Sequence, residues 1–145
     1  MEKPLEACQH PSDILRIGNI LENACNYEGA NRLYGDYLDF NPENTKKRDL
    51  LIRMALNYKR LNNWREAEFK WLECVESQSY HPVPYIELAK HYEHRKRNLS
   101  KAKYYVEKAL GNFAVLEPLN RNGYWVDYKQ DLTYRLARLV RKLQK

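Results

Sequence analysis

Asn26, Asn63 and Asn98 each stand four residues before an alanine, in Asn-Tyr-Glu-Gly-Ala, Asn-Trp-Arg-Glu-Ala and Asn-Leu-Ser-Lys-Ala, and each follows a stretch with helical apolar spacing. An asparagine at such a place can accept the orphan amide hydrogens of a helix's first turn. A small residue one turn later lets a neighbouring helix approach closely. The recurrence restricts the chain to helical hairpins joined by tight turns. No run alternates in the manner of a strand over a length that competes with these helices, so the expected class is all-α.

A longer pattern repeats around the three anchors. The second unit reads Leu51, Met54, Ala55 and Tyr58 on its first helix, then Ala67, Trp71 and Cys74 on its second. The third reads Tyr85, Leu88, Ala89 and Tyr92, then Ala102, Val106 and Ala109. The first is weaker, with Ile14, Ile17, Gly18 and Leu21, then Ala30, Tyr34 and Tyr37, closing on Asn41-Pro42. This succession of a large residue, leucine, a small residue and tyrosine, followed by a helix carrying alanine and an aromatic, resembles the tetratricopeptide repeat. Ala55 to Ala89 spans 34 residues whereas Ala67 to Ala102 spans 35, which places one extra residue in the turn of the third unit. Gly18 to Ala55 spans 37, which predicts a short insertion around 43–47.

The resulting expectation is one tetratricopeptide-like α-solenoid over residues 1–145, with repeats at about 12–42, 48–79 and 82–113 and a capping helix at about 124–144. The helices are expected near 12–25, 28–40, 48–61, 64–78, 83–96, 99–113 and 124–144. Pro11, Pro42, Pro82, Pro84 and Pro118 fall at the breaks, as a residue that blocks helix interiors should. At this length a domain removes roughly 70% of its unfolded surface from water. Twelve tyrosines suit repeats that use aromatics as wedges between helices. In the last helix Leu132, Leu136, Leu139 and Leu143 form one apolar seam, with Arg135, Arg138, Arg141, Lys142 and Lys145 around the remainder.

Charge is uneven along the chain. Residues 1–45 hold three basic and eight acidic side chains, and 46–145 hold twenty-two basic and eleven acidic, within a net charge of +6. Lys90, Arg95, Lys96, Arg97, Lys101, Lys103 and Lys108 concentrate one group of cations, and Arg135, Arg138 and Arg141 of the last helix add a second. A combined basic patch could attract phosphate backbones or simply keep helix faces solvated. Tyr104, Tyr105 and Tyr124 interleave it.

Cys8, Cys25 and Cys74 are odd in number and lack Cys-x-x-Cys spacing, which points to a reducing compartment and to a cytoplasmic default. No segment approaches the roughly 20 apolar residues of a membrane span, and no signal-peptide core precedes the repeats. Chemistry-bearing motifs are missing: there is no glycine-rich phosphate loop, no Gly-x-Ser-x-Gly and no His-Glu-x-x-His. His91, Glu93 and His94 cluster locally, with His10 and Cys8 as remote additions, without forming a ligand set. The expectation is a non-enzyme with no cofactor, no metal and no small-molecule substrate.

Such arrays present the inner faces of their first helices as a groove. By repeat position it receives Leu15, Asn19, Glu22 and Asn23 from the first unit, Ile52, Leu56, Lys59 and Arg60 from the second, and Ile86, Lys90, Glu93 and His94 from the third. Mixed apolar and basic residues suit an extended or helical peptide bearing acidic groups, although Leu56, Ile52 and Ile86 equally suit a core. Leu15 and Ile52 stand where the clamp of chaperone-binding repeats needs basic residues, so that ligand is not expected.

Two segments carry a closer resemblance. Glu87-Leu88-Ala89-Lys90-His91-Tyr92-Glu93-His94-Arg95, with Asn98 to Ala102 and Lys108-Ala109-Leu110, and then Asp131-Leu132-Thr133-Tyr134-Arg135-Leu136-Ala137-Arg138-Leu139 with Arg141-Lys142-Leu143, resemble the helical-repeat tail of bacterial RNase-H-like exonucleases of the YprB type. Tyr134 replaces a histidine of that tail. The likeness covers about residues 48–145. In that family the nuclease is a separate upstream domain whose acidic residues bind metal, and none of it is in this sequence. The resemblance therefore implies a scaffold, either the tail of such a nuclease or a stand-alone relative. Two uses follow: a protein-interaction scaffold binding a peptide or partner domain, which is the expected one, or an accessory nucleic-acid module using the basic C-terminal half.

Overall fold

The computed structural model describes residues 11–42, 46–77, 80–116, 123 and 125–145. Cys8, His10, positions 43–45 of the expected insertion, Pro118 and Tyr124 lie outside them. Every regular element among the described residues is helical: α1 (Pro11–Asn23), α2 (Tyr27–Phe40), α3 (Lys47–Arg60), α4 (Trp64–Glu76), α5 (Pro82–Lys90) continued by a π-helical turn (His91–Arg95), α6 (Leu99–Leu116) and α7 (Val126–Leu143). None of these is long and apolar enough to cross a membrane. The chain divides into two compact units, Met1–Glu73 and Cys74–Lys145.

The three asparagines do what their positions require. Asn26, Asn63 and Asn98 accept through Oδ1 from the amides of Gly29 at 3.0 Å, Glu66 at 3.3 Å and Lys101 at 3.1 Å. The residue before each, Cys25, Asn62 or Arg97, has φ of 60°, 59° or 52°. In the first two turns the asparagine amide donates five residues back, Asn26 to Leu21 and Asn63 to Tyr58, both at 2.8 Å. Cys25 and Asn62 donate three back, to Glu22 and Lys59, at 2.9 and 3.0 Å. That pair of bonds around a left-handed residue is the Schellman ending, which satisfies the last carbonyls of the helix. One turn after each cap, Ala30, Ala67 and Ala102 are fully buried.

The third turn absorbs the extra residue within the helix that precedes it. Lys96 donates to His91, five residues back, at 3.0 Å, and Asn98 donates to Tyr92, six back, at 2.7 Å. The added residue thus widens the end of α5 into a π turn, a common way to take up a single insertion.

In the first unit α1 packs on α2 and α2 on α3. Ile14, Ala30, Leu33, Tyr34, Tyr37, Leu50 and Met54 make the buried cluster, with Leu15, Ile17, Leu21, Leu38 and Tyr58 packed against it. Gly18 is required by this packing, because a Cβ there would overlap the ring of Tyr34. In α4, Ala67, Trp71 and Cys74 are fully buried at the positions the repeat assigns to packing.

In the second unit α5 packs on α6 and α6 on α7. Pro82 opens α5, where a missing amide hydrogen does no harm, and His81 caps it, its Nδ1 accepting from Val83 at 3.2 Å. Leu88 and Ala89 on α5 and Ala102, Val106 and Phe113 on α6 are buried. The seam of α7 differs from the leucine ladder expected. Leu132 and Leu139 are fully buried, but Leu136 is half-buried, Leu143 is 40% exposed and Arg135 is buried in their row. The physical reason is a carboxylate in the π turn that draws this face of α7 toward it.

Candidate functional site

That carboxylate is Glu93, whose side chain is 1% exposed. Its Oε1 accepts from Arg138 Nη2 at 2.6 Å and Arg135 Nη1 at 3.3 Å, and its Oε2 accepts from Lys142 Nζ at 2.7 Å. His94 Nε2 stands 3.4 Å from Oε1 on the outer side. Residues 135, 138 and 142 follow at intervals of three and four, so α7 aims all three from one face. Burial acts to raise the pKa of Glu93, but the hydrogen bonds from Lys142 and Arg138 outweigh it and hold the carboxyl below its ordinary value.

The first unit contains a counterpart. Glu22 and Glu93 each stand four residues after the small residue of a first helix, Gly18 or Ala89. Glu22, 9% exposed, accepts from Arg53 Nη2 at 2.6 Å and from Asn57 Nδ2 at 2.7 Å, both on α3. The fully buried Asn57 also donates to Asn31 Oδ1 at 3.0 Å, and Asn31 donates to the Met54 carbonyl at 3.2 Å. Burial opposes the charge on Arg53, yet its bond to Glu22 leaves the pKa raised. Burial, reinforced by the neighbouring Glu22, pushes the Tyr34 phenol up to about 12. In each unit an acidic group expected on an open face is instead a tie between the first and third helices of a packed triplet.

The remaining groove candidates fall as follows. In the first unit Leu56 and Lys59 are half-buried, and Arg60 is exposed with Nη1 bonded to Asn57 Oδ1 at 3.1 Å and its guanidinium 5.2 Å over the Tyr27 ring. Ile52 is buried and Leu15 packs against the core, so both serve the interior. In the second unit Ile86 is buried, Lys90 reaches Glu87 at 3.7 Å, and His94 is 59% exposed.

The expected basic patch is divided. Arg135 and Arg138 both bond Glu93, but Arg135 is buried and is not a solvent-facing cation, whereas Arg138 is half-buried and keeps part of its side chain exposed. Arg95, Lys96, Arg97, Lys101 and Arg141 are exposed. Lys101 Nζ lies 4.9 Å over the Tyr92 ring, which stacks on Tyr105 with centroids 5.6 Å apart. Lys103 stands 4.0 Å from Glu107, and Lys108 lies 5.6 Å from the ring of Tyr104. Tyr104 and Tyr134 are themselves exposed. Among the described residues no three His, Cys, Asp or Glu side chains converge as a metal-binding group.

Residues 74–145 carry fourteen Lys and Arg against seven Asp and Glu. With Glu93 and Arg135 both internal, the exposed side chains described in this unit still include Arg95, Lys96, Arg97, Lys101, Lys108 and Arg141. Sequence reasoning placed Glu22 and Glu93 among ligand-binding residues. Their shared repeat position, and the regular 135, 138 and 142 spacing beside Leu132 and Leu139, were the signals of an internal role. No protein-family model, curated protein or solved structure gives a significant match to this chain.

Proposed function

We propose that this chain is a non-catalytic tetratricopeptide-like scaffold whose cationic second unit binds an acidic segment of another protein. The observation that carries the reading is the thrice-repeated turn in which a left-handed residue, Cys25, Asn62 or Arg97, precedes an asparagine cap and a buried alanine. Hairpins of like design in succession are the building blocks of repeat arrays, and arrays of this kind act by presenting helix faces to a partner. Charge supplies the partner's chemistry: cations such as Lys96, Arg97 and Arg141 face outward while Glu93 is internal. Complementary charge sets orientation and encounter rate more than affinity. The sequence resemblance makes an RNase-H-like nuclease domain the first partner to try, joined upstream or encoded nearby, and a cytoplasmic setting fits the odd number of cysteines without Cys-x-x-Cys spacing.

A nucleic-acid reading has its own support in the exposed Tyr104 and Tyr134 on a cationic unit, since aromatic rings beside cations can stack on bases. Salt separates the two. A labelled acidic peptide with interspersed leucines should bind with an affinity that changes less than about tenfold between about 50 and 200 mM salt, whereas backbone binding through many phosphates falls by about 10³ or more over that range. Tight binding of single-stranded RNA with that steep dependence, and none of the peptide, would replace the scaffold reading.

A further inference from the structure

The cluster around Glu93 is built beyond what holding one carboxylate requires. Three permanent cations meet Glu93, and Asp131, 3.9 Å from Arg135, is 51% exposed. Lys142 carries three donor hydrogens and Arg138 five, of which Glu93 takes one from each. The buried Nε groups of Arg135 and Arg138 find no acceptor among the described residues. Arg138 and Lys142 remain 30% and 43% exposed, so their outer edges are within reach of a ligand.

We infer that the edge of α7 formed by Arg138 and Lys142 over Glu93 is an oxyanion site that receives an aspartate or glutamate side chain of the acidic partner. This rests on the scaffold reading above and assigns it a place. Two physical points single out this edge from the other exposed cations. Glu93 already fixes the heads of two long side chains, so an incoming carboxylate does not have to immobilise them, and preorganisation of that kind raises affinity. Lys96 and Arg97 are exposed, and side chains of that kind have to be immobilised when a ligand binds. The two cations are also one helical turn apart, about 6 Å between their Cβ atoms, a spacing that lets both engage one carboxylate.

The test is a fluorescence-anisotropy titration of the full chain with a short fluorescein-labelled oligoglutamate peptide, with melting followed by circular dichroism for each variant. Lys142→Gln keeps a donor for Glu93 and removes the charge, and should weaken the peptide about fivefold, the upper end for a partly exposed ion pair. Glu93→Gln should tighten it by a similar factor while lowering the melting temperature, because the competing internal charge is gone. A purely structural cluster would leave affinity unmoved by Lys142→Gln, or would lose binding with Glu93→Gln as the fold loosens. Either result overturns the site. Equal binding of oligoglutamate to the original chain and to Lys142→Gln removes the site yet leaves an acidic partner standing. Binding of a single-stranded RNA oligonucleotide in place of the peptide removes both.

Discussion

Replacing Glu93 with alanine leaves three cations of α7 facing one another without their shared counter-charge. Arg135 dominates the outcome, because its side chain is 10% exposed and water cannot take over the role of the lost carboxylate. Breaking a buried pair from one side costs about 3–5 kcal/mol. Asp131, 3.9 Å from Arg135, relieves part of this. Lys142, 43% exposed, regains hydration and adds no more than about 0.5 kcal/mol. The expected loss is therefore about 3 kcal/mol. A unit the size of residues 74–145 has a total stability of about 4–11 kcal/mol by the usual per-residue range, so the effect is large. Urea unfolding followed by circular dichroism should show the midpoint falling with the slope preserved. Combining Glu93→Leu with Arg135→Met should cost less than Glu93→Ala alone, since both sides of the buried pair become apolar. A loss below about 1 kcal/mol for Glu93→Ala would place the cluster with ordinary surface pairs and refute the reasoning.

The turns offer three further checks. Asn26→Ala, Asn63→Ala and Asn98→Ala should each cost about 1 kcal/mol of stability by thermal or urea unfolding, since each removes a side-chain acceptor from a first helical turn. Cys25→Gly and Arg97→Gly should each stabilise by about 0.5 kcal/mol, because glycine enters the left-handed region without the penalty of a Cβ but has more freedom to lose on folding; a drop in melting temperature would contradict this. Gly18→Ala should destabilise by about 1–3 kcal/mol through its collision with Tyr34, and Tyr34→Leu in the same chain should recover part of that loss in the same measurement.

Helix positions were legible because their signals are local. Asparagine caps, prolines at breaks and a period near 3.6 residues act within one or two turns, and every expected helix appears within a few residues of its expected span. Even the 35-residue spacing in the third unit was visible in the sequence, although the chain accommodates it as a π turn at His91–Arg95 and not within the loop. The fate of charged side chains was not legible in the same way. Glu93 and Arg135 are separated by 42 positions, and nothing in the local pattern of either says that they meet. A face assignment based on helical period alone treats a charge as solvent-facing, whereas a carboxylate and a guanidinium that find each other can both be buried. The same rule explains why Glu22 is nearly buried against a part-exposed Arg53, and it shows why Leu136 yields its expected buried place to Arg135.

The most direct test of the internal carboxylate is the titration of Glu93 itself, followed by carboxyl carbon shifts in a chain labelled at glutamate and assigned with Glu93→Gln. Its folded-state pKa lies below the ordinary 4.5, so the linkage has a definite sign. The associated stability is fully present above the unfolded value and is lost as pH falls through the folded one. The expected result is a Glu93 midpoint below 4.5 together with an acid-unfolding component that disappears in Glu93→Gln. A midpoint at or above 4.5 would mean that the cations of α7 do not hold this group, and the internal tie proposed to separate inward acids from outward cations would be contradicted.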